Sequence, residues 1–136
     1  MEVLHLINYW AVIVAAIVFF LLGALWFSPA LFGYPWMKCC NIKEEDIKSC
    51  GGLSYLWGFL VSFLYVLALA YFIKQTNAHT LGEGACLAFW AWLGFVATTL
   101  AGSVIWERKP CGWWAITSGY YLVGLLISSV ILILWI

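Results

Sequence analysis

Four long apolar runs separated by polar connections dominate the chain. They cover about residues 6–27, 53–73, 85–106 and 113–136, and none contains Asp, Glu, Lys or Arg. A helix of about 20 residues crosses a hydrocarbon core of roughly 30 Å. Because lipid offers no partners for open backbone groups, each run is predicted to be a helix. The pattern therefore predicts an all-α membrane protein, in which residues 1–136 form one domain of four transmembrane helices.

The lengths of the connections predict how these helices are arranged. They cover about residues 28–52, 74–84 and 107–112, and short links of this kind join neighbouring antiparallel helices, giving an up-down bundle. In the first connection, Asn41 precedes Glu44 by three residues, a capping-box pattern. We expect a short cytoplasmic surface helix over about residues 42–50, which Gly51 and Gly52 end.

Composition agrees with a membrane protein. The chain is 66% hydrophobic and 9% charged, whereas about a quarter of the residues of a soluble domain are charged. The net charge is zero and the cations are scattered, so we do not expect nucleic acid as a partner. The expected partner is the lipid bilayer. The N-terminal segment has no positive charge, and its apolar run exceeds the core of a signal peptide, so we expect a retained helix.

The cations predict an orientation in the membrane. The first and third connections share one side of a four-span bundle and contain Lys38, Lys43, Lys48, Arg108 and Lys109. The opposite side contains Lys74 alone. The positive-inside rule then places the first and third connections in the cytoplasm and both termini outside, in the cell (plasma or inner) membrane.

Small residues predict where helices touch, because close backbone approach stabilises helix pairs in lipid. In the third run, Gly94, Thr98 and Gly102 recur every four residues. We expect the third and fourth spans to form a tight hairpin. The predicted helix-packing residues are Gly94, Thr98, Gly102, Gly119, Gly124 and Gly23.

Groups that could carry chemistry are scarce. No ionisable residue other than cysteine and tyrosine lies within the four runs, which argues against a pump or proton relay. No nucleophile-histidine-acid set, phosphate-binding glycine loop or metalloprotease motif is present. We therefore predict no catalytic residue, no cofactor and no enzyme activity.

Two groups of side chains at the predicted cytoplasmic end remain candidates. Adjacent Cys39 and Cys40 lack the two-residue separation of most zinc or iron–sulfur sites, and no histidine lies there, so we expect reduced structural thiols and no metal. A disulfide would contradict the predicted orientation. The possible thiol cluster comprises Cys39, Cys40, Cys50 and Cys111, and the possible interaction surface comprises Lys38, Glu107, Arg108 and Lys109.

Several motifs together resemble the bacterial and archaeal membrane family catalogued as domain of unknown function 1761. They are Gly23-Ala24-Leu25-Trp26-Phe27-Ser28-Pro29, Phe32-Gly33, Trp36-Met37, the segment from Leu93 to Thr99, the turn from Glu107 to Pro110, and Gly119-Tyr120. The resemblance implies a compact four-span membrane protein and no established activity. Where that family tends to have asparagines in the third and fourth spans and a histidine after the Gly-Tyr pair, this chain has Ser103, Thr117 and Tyr121.

Three functions stay open on the sequence. The favoured one is an interaction or accessory protein that self-associates or joins a larger membrane complex, because small-residue ridges and ten tryptophans are its main features. The second is an oligomeric channel or facilitator for a small or apolar solute. The third is a thiol redox or metal protein that uses the cytoplasmic-face cysteines.

Overall fold

The computed structural model describes residues 2–48 and 51–135, with the Lys48 side chain excepted. It is 83% helix, and no strand occurs in the described part of the chain. A 3₁₀ helix, Glu2–Leu6, precedes the first α-helix. The helices are α1 Tyr9–Trp26, α2 Gly33–Cys40, α3 Glu44–Lys48, α4 Gly52–Gln75, α5 Leu81–Ala91, a π-helical segment Trp92–Ala97, α6 Thr98–Trp106 and α7 Cys111–Leu134.

Four of the helical segments are long and apolar enough to cross a membrane: Tyr9–Trp26, Gly52–Gln75, Leu81–Trp106 and Cys111–Leu134. The third span, Leu81–Trp106, consists of α5, the π-helical segment and α6. This result confirms the predicted fold class. The third span begins four residues earlier than expected because Thr80 and Glu83 form a complete capping box at its start.

The spans are arranged around α7. Helix α1 packs along both α4 and α7, whereas α5 packs along the opposite side of α7. Helix α4 also touches α7 but has few contacts with α5. At the terminal end of the bundle, where α1 begins and α7 ends, Asn8 Nδ2 donates to the carbonyl of Trp135 at 3.1 Å. We call the opposite end, which contains residues 27–48 and 107–110, the loop end.

The first connection differs from the prediction. It contains two short helices, α2 and α3, and Asn41 has a left-handed conformation (φ 56°) that ends α2. The prediction that Asn41 begins the surface helix is therefore wrong. Lys43 directly precedes α3, and its backbone N–H donates to the carboxylate of Asp46 within α3 at 3.1 Å. The remainder of the expected helix, Ser49 and Cys50, lies outside the described residues.

Small side chains make up much of the core of the bundle. Ala11, Ala15 and Ala16 on α1 are almost completely buried, so α1 lies close to α4 and α7. Gly33 allows the chain to turn after α1, because a Cβ there would lie 2.5 Å from the backbone carbon of Ser28. The turn brings α2 against α7 at the loop end.

Candidate functional site

Two indole groups join the third and fourth spans. Trp92 Nε1 donates to the carbonyl of Ser118 at 2.8 Å, and Trp114 Nε1 donates to that of Ala97 at 2.9 Å. Nearer the terminal end, Gly84 leaves room for Ile133, whose Cγ1 would lie 2.9 Å from a Cβ at that glycine. The third and fourth spans therefore form a close hairpin.

The π-helical segment decides which face of the third span enters this hairpin. An uninterrupted α-helix that buries Ala88 against α7 would also turn position 95 towards α7, since seven residues make about two turns. Instead Phe95 is 73% exposed, and Ala97 is buried. The π-helix adds one residue to the turn, which rotates the following helix and keeps Ala97 on the side of α7.

This rotation leaves the predicted stripe on the outside. Gly94 and Thr98 are exposed and Gly102 is half-buried. In the described part of the chain, a Cβ at either glycine would meet no neighbouring atom within 4 Å. The Thr98 hydroxyl donates back to the carbonyl of Gly94 at 2.7 Å, so it needs no partner elsewhere. We call Gly94, Thr98 and Gly102 the outer ridge. Its role in helix packing stays a prediction, and within this chain the hairpin uses another face.

The other predicted packing glycines lie between α1 and α7. A Cβ at Gly124 would lie 2.5 Å from the Phe19 ring, and one at Gly23 would lie 2.8 Å from the Tyr120 hydroxyl. At Gly119 the nearest atom, 3.4 Å away, belongs to Trp26. The structure thus places Gly23, Gly119 and Gly124 at close contacts between the same two helices.

An aromatic cluster occupies the region between α1, α4 and α7. The Phe19 ring lies 5.4 Å from Tyr65, 5.1 Å from Tyr120 and 6.2 Å from Tyr121, centroid to centroid. Tyr65 and Tyr121 are themselves 5.4 Å apart. Such tilted ring pairs stabilise packing beyond the area that they bury. The cluster connects three of the four spans.

The hydroxyls of this cluster differ in their hydrogen bonding. Tyr120 donates to the carbonyl of Phe19 at 3.2 Å. The buried Tyr65 hydroxyl has no hydrogen-bond partner among the residues that the structure describes. A buried polar group left in this way costs about 1–3 kcal/mol. Tyr65 therefore has a buried hydroxyl with unused hydrogen-bonding capacity.

The predicted thiols at the loop end are partly brought together. The sulfur of Cys39 is 3.6 Å from the position of a Cβ on Gly112, next to the exposed Cys111. Burial raises the pKa of the Cys40 thiol, against the smaller lowering effect of Lys109. No group of three potential metal ligands occurs in residues 2–48 and 51–135, and Cys50 lies outside them.

The predicted interaction surface is less compact. Lys109 Nζ lies 5.2 Å from the centre of the Trp113 ring, a cation–π distance. Lys38, Glu107 and Arg108 are exposed, and Arg108 has a left-handed conformation (φ 57°) in the turn before α7. These four residues share the loop end, where the described contacts define a cation beside an indole but no enclosed site.

Sequence reasoning missed the indole donors and the Tyr65 hydroxyl. In the sequence, Trp114 is expected at the membrane interface and Trp92 lies within an apolar run. Their carbonyl partners depend on how the helices meet, which the sequence does not show. The signal for the start of the third span was available, because Thr80 and Glu83 have capping-box spacing just before an apolar run. We did not use it.

Comparison with known proteins gives one match. The family model described as "Protein of unknown function (DUF1761)" matches residues 10–133. Neither the curated proteins nor the solved structures contain a match to the chain. The matched region includes most of each candidate span, the aromatic cluster and the outer ridge. The chain therefore belongs to the DUF1761 family of proteins of unknown function.

Proposed function

We propose that the protein is a membrane-embedded interaction protein that associates with a second copy of itself through the outer ridge. The observation that carries the proposal is the exposure of Gly94 and Thr98 within the uncharged stretch 85–106 of the third span. Glycines with no neighbour within 4 Å allow a second backbone to approach closely. In a two-fold symmetric pair, the ridge of one copy would meet the ridge of the other.

The burial of the four spans also supports the third span as the surface for self-association. In the most apolar window of the third span, 17% of the residues are buried, compared with 28%, 28% and 44% in the first, second and fourth. The third span therefore has the smallest buried fraction of the four. This span also contains two glycines eight residues apart, the exposed Gly94 and the half-buried Gly102, with open space at both Cβ positions.

We further propose that the bundle lies in the cell membrane with its loop end in the cytoplasm. Five of the six lysines and arginines are in the connections at that end, and Lys74 is at the other. This distribution follows the positive-inside rule. The proposed role requires neither a catalytic group nor a cofactor.

Subunit counting in liposomes tests the self-association. We expect the wild-type protein to form dimers and Gly94→Leu and Gly102→Leu to weaken association at least tenfold, about 1.4 kcal/mol for each tenfold step. The leucine side chains would hold the two backbones apart. We expect the fold of each copy to be kept, because a Cβ at these positions meets open space among the described residues.

Gly82→Leu is the matched control. Gly82 also belongs to the third span and has open space around its Cβ position, but it lies beside the polar connection at the terminal end. We expect this variant to associate like the wild type. A monomeric wild-type protein, or equal association of all four proteins, would overturn the proposal.

A further inference from the structure

Three clefts meet at Tyr65, halfway along α4. The largest, about 440 Å³, lies between α1 and α4, and a second of about 290 Å³ lies between α4 and the third span. A third, about 200 Å³, runs beside Tyr121. Tyr65 lines all three. They exist because α4 packs along α1 and has few contacts with α5. The largest falls within the range of small-molecule sites.

The walls of these clefts are uncharged and mostly apolar or aromatic. Their rims include Trp57, Val61 and Phe95, which are 60%, 58% and 73% exposed. These rim residues belong to the apolar spans, so the clefts open sideways on surfaces that would face lipid. An occupant would therefore enter from the bilayer, and a charged group would find no counter-charge among the lining residues.

One polar group in the walls favours a particular chemistry. The Tyr65 hydroxyl has no hydrogen-bond partner in the described part of the chain. Tyr65 is a wall residue of all three clefts, so a small rotation of its side chain would bring this buried hydroxyl to an occupant. An ester carbonyl or hydroxyl oxygen could then satisfy it, and in an apolar site such a bond orients the ligand strongly.

From this combination we propose that the clefts form a binding site for an uncharged bilayer lipid. Its hydrocarbon chains lie along α4, and an ester or hydroxyl oxygen bonds to the Tyr65 hydroxyl. The proposal is independent of self-association, because no residue of the outer ridge lines the three clefts. Tyr65 is the residue that distinguishes this site from ordinary lipid contact.

Photocrosslinking in phosphatidylcholine liposomes tests this proposal. The probe is a diacylglycerol with a photoactivatable diazirine in one acyl chain, and a phosphatidylcholine with the same chain is the comparison. We expect the diacylglycerol to label the middle of α4 and the π-helical segment preferentially. Tyr65→Phe should lower that labelling at least fivefold and leave the phosphatidylcholine labelling unchanged. Ala68→Phe, which fills the second cleft, should lower the diacylglycerol labelling as well.

Two variants are matched controls. Tyr71→Phe removes a hydroxyl from α4, and Ala115→Phe enlarges an exposed alanine of α7; neither residue lines the three clefts. Both should bind the diacylglycerol like the wild type. Tyr65→Phe should keep the wild-type thermal midpoint or exceed it, because it removes an unsatisfied polar group. The proposal would be overturned if both probes labelled the wild-type protein equally and Tyr65→Phe did not change that labelling. The clefts would then contain only the ordinary lipid that surrounds any membrane protein.

Discussion

At the scale of single residues, tryptophan side chains hold α7 to its neighbours. Trp26 Nε1 donates to the carbonyl of Ile116 at 3.0 Å, near the contact of its ring with Gly119. Trp92 and Trp114 make the equivalent bonds between α7 and the third span. Polar bonds between membrane helices are worth about 0.6 kcal/mol on average. These indoles therefore fix the register of the helices.

The Cys40 thiol is the residue whose chemistry the structure defines most clearly. Burial is the largest influence on it, and it raises the pKa. The thiolate is the reactive form of cysteine, so a raised pKa lowers reactivity near neutral pH. This environment favours a structural thiol over the redox role that the sequence left open.

Alkylation of Cys40 by iodoacetamide should reflect this environment. In a Cys39→Ser variant, we expect the midpoint of its pH–rate profile to lie above that of the unfolded protein, because burial favours the neutral thiol. Mass spectrometry of the alkylated peptide gives the rate at each pH. A folded-state midpoint below the unfolded one would contradict the assignment and point to an activated thiol.

At the scale of helices, the sequence predicts where the spans lie and which spans pair. It predicts less well which face of each helix packs against its neighbour. Absence of charge over about 20 residues was enough to find four spans, and the short turn before α7 was enough to pair the third with the fourth. The outward rotation of Gly94 could not be predicted, because it depends on the extra residue in the π-helical segment. The position of Asn41 at the end of α2 could not be predicted either, because asparagine is common at both ends of helices.

Replacing a buried and an exposed glycine by alanine should have different effects on the free energy of unfolding. Gly124→Ala places a methyl group 2.5 Å from the Phe19 ring, so we expect a loss of about 1–3 kcal/mol of unfolding free energy. Gly94→Ala meets open space and should leave stability unchanged or raise it by up to about 1 kcal/mol. Both are measured by reversible unfolding in mixed detergent micelles. Equal destabilisation by the two variants would contradict the packing of α1 on α7.

At the scale of the whole molecule, the chain is a bundle in which α7 contacts all three other spans and α4 is loosely held on one side. The four spans were readable from the sequence because hydropathy reports directly on burial in lipid. The clefts beside Tyr65 were not, since a cavity depends on how well distant side chains fill the space between helices. The proposed oligomer and lipid site both lie on surfaces that intrachain packing leaves open.

Cysteine accessibility in intact cells tests the four-span arrangement and its orientation most directly. In a variant without native cysteines, Gln75→Cys reports on the terminal end and Glu45→Cys on the loop end; both positions are exposed. We predict that a membrane-impermeant maleimide labels Gln75→Cys in intact cells and Glu45→Cys only after the membrane is opened. Labelling of both from the same side would contradict the four-span arrangement, and the reverse pattern would contradict its orientation.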